Sequence, residues 1–338
     1  DAADRLQPID VYSQVNGSLV YQSTTAPNAS NNRVAKAEAL SAWLLDRISI
    51  GDLKLLASLR MEDIDTEEQR YNDPARTIKG ARVSNSLRKT TAGLGATYAL
   101  AEHWTLLAGV HQGFAPPSPE SVDGAKGEES TNYELGARFR GERLAMDAVA
   151  FLSDYGNALQ RCSLANPCPN GDVDGSYQLG EAQVYGLEFM LGATLYRAGE
   201  LSVPARLNWT WTRGKITRDA DDNSVLKGDL MAYLPENVAT ASLGLESQQG
   251  WSLQSAVSFT DEQCSNTTCD RDGIDATYLR TQRYVTVDLS GAYRLSPAAE
   301  VYAKVENVLD EQRLVSRGAA GARSNAPRYV GLGLRLSF

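Results

Sequence analysis

The sequence lacks any long apolar run. Nowhere in its 338 residues do the roughly 18 consecutive apolar residues of a transmembrane helix occur, so if this chain crosses a membrane, helices are not what crosses it. Histidine is scarce: there are two, His103 and His111. No nucleophile elbow, phosphate-binding glycine loop or H-E-x-x-H pair accompanies them. The expectation is a protein that is not an enzyme, with no catalytic residue, no metal centre of its own and no cofactor. Positive charge is also in deficit, with 33 Lys+Arg against 42 Asp+Glu and a net charge of -9. That balance excludes nucleic acid as the expected partner, because phosphates need a basic face.

Cysteine is limited to four residues in two close pairs, Cys162 with Cys168 in "RCSLANPCPN" and Cys264 with Cys269 in "EQCSNTTCDR". The Asn, Pro, Asp and Thr around them mark both segments as loops. Two readings are open, loop-closing disulfides or metal ligands. Four-cysteine zinc sites use tighter C-x-x-C spacing, which favours two disulfides and an oxidising compartment.

What the chain has in abundance is alternation with a period of two. The ending "RYVGLGLRLSF" puts Val330, Leu332, Leu334, Leu336 and Phe338 on one side of a strand, and Tyr329, Gly331, Gly333, Arg335 and Ser337 on the other. "YVTVDLSGAYRL" does the same with Val285, Val287, Leu289 and Tyr293, "GWSLQSAVSFTDE" with Trp251, Leu253, Val257 and Phe259, and "NYELGARFR" with Tyr133, Leu135, Ala137 and Phe139. A helix would scatter these residues around its axis, whereas a strand collects them, so the period predicts strands, about fourteen of them. Short connections (99–103, 140–142, 247–250, 295–300) alternate with long polar ones (66–85, 115–129, 156–176, 214–235, 261–282, 310–326).

Two architectures accept this pattern. In a soluble sandwich the apolar face is a core, and the chain would be a carbohydrate-binding or structural β-domain. In a transmembrane barrel the apolar face meets lipid and the polar face, with Lys54, Arg60, Asp147, Lys304, Glu306 and Arg335, lines the interior. Tyr98, Trp104, Tyr133, Trp209, Trp211, Trp251, Tyr284 and Tyr293 lie near strand ends. Aromatics favour strands in general, but placed at both ends they suggest two interfacial girdles. With turns on one side and long loops on the other, the expectation is an all-β transmembrane antiparallel barrel.

The ordered series "VHQGFAPPSPE", "EESTNYELGARFRG", "QVYGLEFML", "LPENVATASLGLE", "YVTVDLSGAYRL", "VYAKVENVLDEQ" and "YVGLGLRLSF" over residues 104–338 resembles the barrel motifs of TonB-dependent outer-membrane receptors. Residues 37–66 match more loosely. "GFAPPSPE" and "SDYGNAL" are most similar to receptors for ferric citrate and related ferric siderophores. The resemblance implies the C-terminal strands of a barrel of roughly 22 strands with a plugged lumen. Residues 1–338 would then belong to one barrel domain, with the N-terminal plug absent from this sequence. It further implies a bacterial outer-membrane location with the long loops extracellular, outer-membrane lipid around the barrel, and uptake of a ferric chelate energised by the TonB coupling protein through that N-terminal part. Ferric iron enters only as part of the chelate. Phe338 would be part of the outer-membrane assembly signal. The alternatives are a passive porin or a receptor for a non-iron substrate.

An anionic chelate calls for guanidinium groups, which stay charged and present a planar fork of donors. Arg161, Arg271, Arg280, Arg283, Arg313, Arg317 and Arg323 lie in the long polar segments. By the resemblance, the segment after "FLSDYGNALQR" and the last long loop are the ligand-contacting ones, which selects Gln160, Arg161, Arg317, Arg323 and Asn325 as substrate-binding candidates. His111 joins them as an inward-facing residue. Tyr177, Tyr233 and Tyr278 could stack on a catecholate. The acidic runs "TRDADDN" and "DEQCSNTTCDRDGID" have oxygen ligands spaced for calcium, although an acidic outer surface accounts for them as well.

Overall fold

The computed structural model describes residues 9–15, 18–25, 32–73, 75–117, 127–161, 176–219, 225–271, 273, 278–318 and 321–337. Among these there is no α-helix. Seventeen strands form, and thirteen of them make one sheet in the order β17-β14-β13-β12-β11-β10-β9-β8-β7-β6-β5-β4-β3. Its members are β3 (Arg33–Ile50), β4 (Leu53–Tyr71), β5 (Lys79–Ala101), β6 (Trp104–Ala115), β7 (Glu128–Arg140), β8 (Leu144–Arg161), β9 (Ser176–Ala198), β10 (Leu201–Ile216), β11 (Asn237–Ser247), β12 (Trp251–Thr260), β13 (Tyr284–Ser296), β14 (Ala299–Glu306) and β17 (Tyr329–Leu336). Two hairpins stand apart, β1 (Ile9–Val15) with β2 (Ser18–Thr25) and β15 (Leu314–Gly318) with β16 (Gly321–Ser324).

The chain divides into two compact units, one of residues 1–43, 60–90 and 115–127, the other of residues 44–59, 91–114 and 128–338. In the second, antiparallel registers carry one apolar face from strand to strand. Leu135 opposes Ala150, Ala150 opposes Leu187, and Leu187 opposes Trp211. Further along, Val257 opposes Val287, and Tyr293, Val301 and Leu334 share a row. This is the face predicted from the alternation, and its leucines stay exposed, with Leu332 at 83% of its full accessible surface. Burial is instead concentrated at the loop ends.

Aromatic contacts mark both ends of the apolar face. Near the turns, Phe139 meets Trp104 at 5.1 Å and His103 at 5.8 Å between ring centroids. Near the loops, Tyr185 meets Trp211 edge-on at 5.9 Å, and Trp209 Nε1 donates to Asn237 Oδ1 at 3.2 Å. Tyr284 departs from the expectation. It pairs with Thr260, in step with Ser258 and Thr286, and so lies on the polar face.

The first unit corrects one boundary. Residues 66–85 are not a long loop, because β4 runs to Tyr71, β5 starts at Lys79, and a short turn joins them. On β4 one face is Leu53, Leu55, Ala57, Leu59 and Met61, and from there continues as Asp63, Asp65 and Glu67. Asp63 accepts from Arg88 Nη2 at 2.5 Å and Glu67 from Arg82 Nη2 at 2.7 Å. Ion pairs on this face cannot contact hydrocarbon. The apolar segment from Leu53 to Met61 therefore has the length of one membrane-spanning strand, about 9 to 11 residues. On the other face the buried carboxylates of Glu62 and Glu68 are neutralised. Glu62 accepts from Ser41 Oγ at 2.7 Å and pairs with Arg60, while Glu68 sits between Arg70 at 2.7 Å and Arg33 at 3.5 Å.

Candidate ligand-binding loops

Three long segments converge at the loop end of β8 to β14. The first, 217–236, turns back over the polar face: Met231 N donates to Gly214 O at 3.1 Å and Gly228 N to Ile216 O at 2.9 Å. Val225 and Met231 pack with Ala158, Ala182, Ile216 and Tyr155, a small apolar cluster with Val225 and Ile216 each 1% exposed. Gly214 is required beneath this segment, since a Cβ there would stand 2.6 Å from Leu234 Cδ2 and 3.1 Å from Met231 Cβ.

The second segment, 261–283, is tied to the first. Tyr233 N donates to Cys264 O at 2.8 Å, and Arg271 forks onto the buried Asp229 carboxylate, Nε to Oδ1 at 2.9 Å and Nη2 to Oδ2. That bond raises the Arg271 pKa above the ordinary arginine value. Cys264 and Cys269 form a disulfide, as the spacing predicts. Cys162 and Cys168 lie outside the described residues, and the same is true of Phe338.

The third segment, which carries the β15–β16 hairpin, hangs on the second. Gln282 N donates to Leu314 O at 2.7 Å, Leu314 N to Gln282 Oε1 at 3.0 Å, and Arg317 Nε to Arg280 O at 2.8 Å. At its root Asn307 donates through Nδ2 to Glu311 O at 3.0 Å and Ala326 O at 2.9 Å, and accepts from Glu311 N at 3.1 Å. Loops tied this way present their remaining charges as one surface.

The arginines divide into engaged and available groups. Arg271 is held by Asp229, Arg280 by Glu262 and Asp270, and Arg313 by Glu311. Arg283 approaches Glu262 only to 3.9 Å and is 69% exposed. A cleft of about 330 Å³ between the first two segments is lined by Arg213, Arg280 and Arg283 against Glu236, Asp261, Glu262 and Asp270. With carboxylates outnumbering guanidiniums, it is not a site for a bare anion.

Of the sequence candidates, Arg317 and Arg323 both lie on the β15–β16 hairpin but on opposite faces, since Ser316 opposes Arg323 and Ala322 opposes Arg317. Arg323 is exposed and makes no side-chain bond among the described residues. Asn325 is used by the loop itself, accepting from Arg313 N at 2.8 Å and donating to Glu311 O at 2.8 Å. Gln160 and Arg161 end β8, paired with Tyr177 and Ser176, and their side chains lie outside the described set. His111 is not part of this surface. It opposes Gly93 on the polar face, in a recess of about 650 Å³ with Arg47, Lys54 and Glu134. Pattern reading passed over that recess, whose signal is the glycines of its floor, Gly93 and Gly95 two apart on β5 and Gly109 opposite Gly95 on β6. Among loop tyrosines, Tyr278 is 73% exposed.

The family described as TonB dependent receptor-like, beta-barrel, matches residues 2–308. This chain belongs to that family. TonB-dependent receptors are outer-membrane receptors and transporters rather than enzymes, as the sequence led one to expect, and the thirteen-stranded sheet is part of such a barrel. Among curated relatives, the pesticin receptor of Yersinia pestis is 22% identical over 94% of this chain and 46% of that protein. The ferric enterobactin receptor of Pseudomonas aeruginosa is 24% identical over 68% of this chain and 34% of that protein. Among solved structures, a ferric citrate transporter in its unliganded form superposes with a TM-score of 0.71 at 19% identity, covering 96% of this chain and 47% of that one. The chain thus spans less than half the length of each of these three proteins.

Proposed function

We propose that this chain is the C-terminal portion of an outer-membrane receptor that takes up a ferric chelate, ferric citrate or another ferric siderophore. In this reading a plug domain and a TonB-contacting segment lie N-terminal to it, and the periplasmic TonB system energises release. The shares of 46% and 47% of the relatives support a missing partner region. A receptor named for ferric enterobactin and a transporter named for ferric citrate among the similar proteins support the chelate class.

The observation that carries the proposal is the cross-tied loop surface, with Arg323 of the β15–β16 hairpin exposed and without a side-chain partner among the described residues. In an outer-membrane barrel the long loops are extracellular and the short turns periplasmic, so this surface meets ligand first. Arg323, with Arg317 on the other face of the hairpin and Arg161 as further candidates, supplies the charge for an anionic chelate. Exposed Tyr278 supplies a ring for a catecholate.

The test is titration of the detergent-solubilised full-length receptor with ferric citrate and a panel of ferric siderophores, followed by tryptophan fluorescence. Saturable binding of one chelate that weakens about tenfold in Arg323→Ala is expected. Free ion passage through the reconstituted protein, with no chelate bound, would establish a porin instead.

A further inference from the structure

The apolar face of β11 to β14 and β17 is unevenly padded. One row joins Leu245, Leu253, Gly291, Ala303 and Leu332 across five strands, so its two middle positions carry a hydrogen and a methyl group between leucines. In the row above, Ser255 stands between Leu243 and Leu289. Two adjoining depressions result, of about 450 and 410 Å³, which share Leu253, Gly291 and Ala303.

The walls are hydrocarbon. Ser255 Oγ turns back to Leu243 O at 3.4 Å, so the hydroxyl of the floor is spent on the backbone. A Cβ on Gly291 would meet Leu253 Cδ2 at 3.0 Å, and glycine there is what lets Leu253 lean over the floor. Trp251 and Tyr293 flank the turn end, where aromatic rings sit at headgroup level. This trough is continuous with the lipid-facing surface and offers a water molecule no polar partners.

Its width selects what fills it. Leu253 and Leu332 are three strand spacings apart, about 14 Å at their Cα atoms, and their own side chains narrow that gap. A helix with side chains is about 10–12 Å across and finds no seat, whereas a single linear chain does. The adjoining turns, "SQQG" at 247–250 and "SPAA" at 296–299, bring no lysine or arginine to the headgroup.

We propose that this trough binds one acyl chain of a phospholipid from the periplasmic leaflet, recognised by its hydrocarbon and not by headgroup charge. The site does not depend on which ligand the receptor transports.

Native mass spectrometry of the full-length receptor, stripped of lipid in detergent and titrated back with phosphatidylethanolamine or phosphatidylglycerol of matched chains, tests it. One lipid per receptor is expected for both headgroups at similar occupancy and without salt dependence. Filling the floor with Gly291→Leu and Ala303→Leu should lower occupancy at least tenfold while heat-modifiable gel migration stays that of a folded barrel. If that double variant fails to fold, Ser255→Leu fills the upper depression alone, and a several-fold loss is expected. Absence of a stoichiometric lipid, unchanged occupancy in the filled variants, or binding of the anionic lipid alone would overturn the proposal.

Discussion

Arg271 and Asp229, 42 positions apart, meet in a two-pronged hydrogen-bonded pair in which the carboxylate is 5% exposed and the guanidinium 26%. The pair ties the 261–283 segment to the 217–236 segment. Removing one member of a buried pair costs about 3–5 kcal/mol, because the other charge is stranded. Arg271→Ala is expected to raise amide hydrogen exchange in 225–236 and 261–271 and leave β7 to β9 protected. Faster exchange throughout the strands would show that the pair supports the sheet, not the loops.

Alkali should not open this tie. The folded-state pKa of Arg271 is raised by its bond to Asp229, so the stabilisation is fully present below the ordinary arginine value. It is lost only as pH rises through a still higher one. Exchange rates in 225–236, corrected for the intrinsic pH dependence, are expected to stay flat from pH 7 to about 10.

The Cys264–Cys269 disulfide closes a short ring next to the Tyr233–Cys264 backbone bond. Chain entropy assigns such a ring about 2 kcal/mol. Reduction, or Cys264→Ser with Cys269→Ser, should increase trypsin cleavage after Arg271, the one basic residue of 261–271, several-fold by mass spectrometry, and leave barrel migration on gels unchanged.

On the polar face Tyr302 lies directly over Gly333, and a Cβ there would clash with the Cζ, Oη and Cε1 atoms of the phenol. The ring also receives the Arg335 guanidinium at 5.7 Å from its centroid. Gly333→Ala must displace Tyr302 and is expected to destabilise by about 1–3 kcal/mol, read as a lower unfolding midpoint in urea. Tyr302→Ala, Gly333→Ala together should cost less than the sum of the single changes.

The turn between β4 and β5 is held by Asp73, which accepts from Ile78 N at 2.5 Å, Thr77 N at 3.0 Å and Thr77 Oγ1 at 2.8 Å. These donors, Ile78 N–H first, lower its pKa below the usual aspartate value. A depressed folded pKa means the contribution is complete above the ordinary value and disappears as pH falls through the folded one. Exchange at 75–80 is expected to be insensitive to pH down to about 4, after intrinsic correction, and to rise below it. Asp73→Asn should show the fast rate at every pH.

Much of this was legible in order along the chain. Val285, Val287, Leu289 and Tyr293 share the face their spacing predicts, because the period of a strand is a local property of the backbone. The extension of β4 and β5 was not legible. From Asp63 onward both faces carry charge, which erases the apolar alternation while leaving the pairing of the strands intact. Tyr284 looked like a girdle residue by position but lies on the polar face by register.

The arginines of the long segments were identifiable by residue type, but their availability was not. Arg271, Arg280 and Arg313 are occupied by Asp229, Asp270 and Glu311, and Asn325 by its own loop. Arg323 has no such partner among the described residues.

By itself the sequence determined the strand character, the lipid-facing and inward-facing sets, the alternation of turns with long segments and the spacing that allows the Cys264–Cys269 bond, since each depends on neighbours a few residues apart. Only the tertiary structure decided which loop charges are neutralised and where the apolar face thins to Gly291 and Ala303. Those depend on strand register and loop crossings between residues far apart in the chain, and the same amino acids in another register would meet different partners.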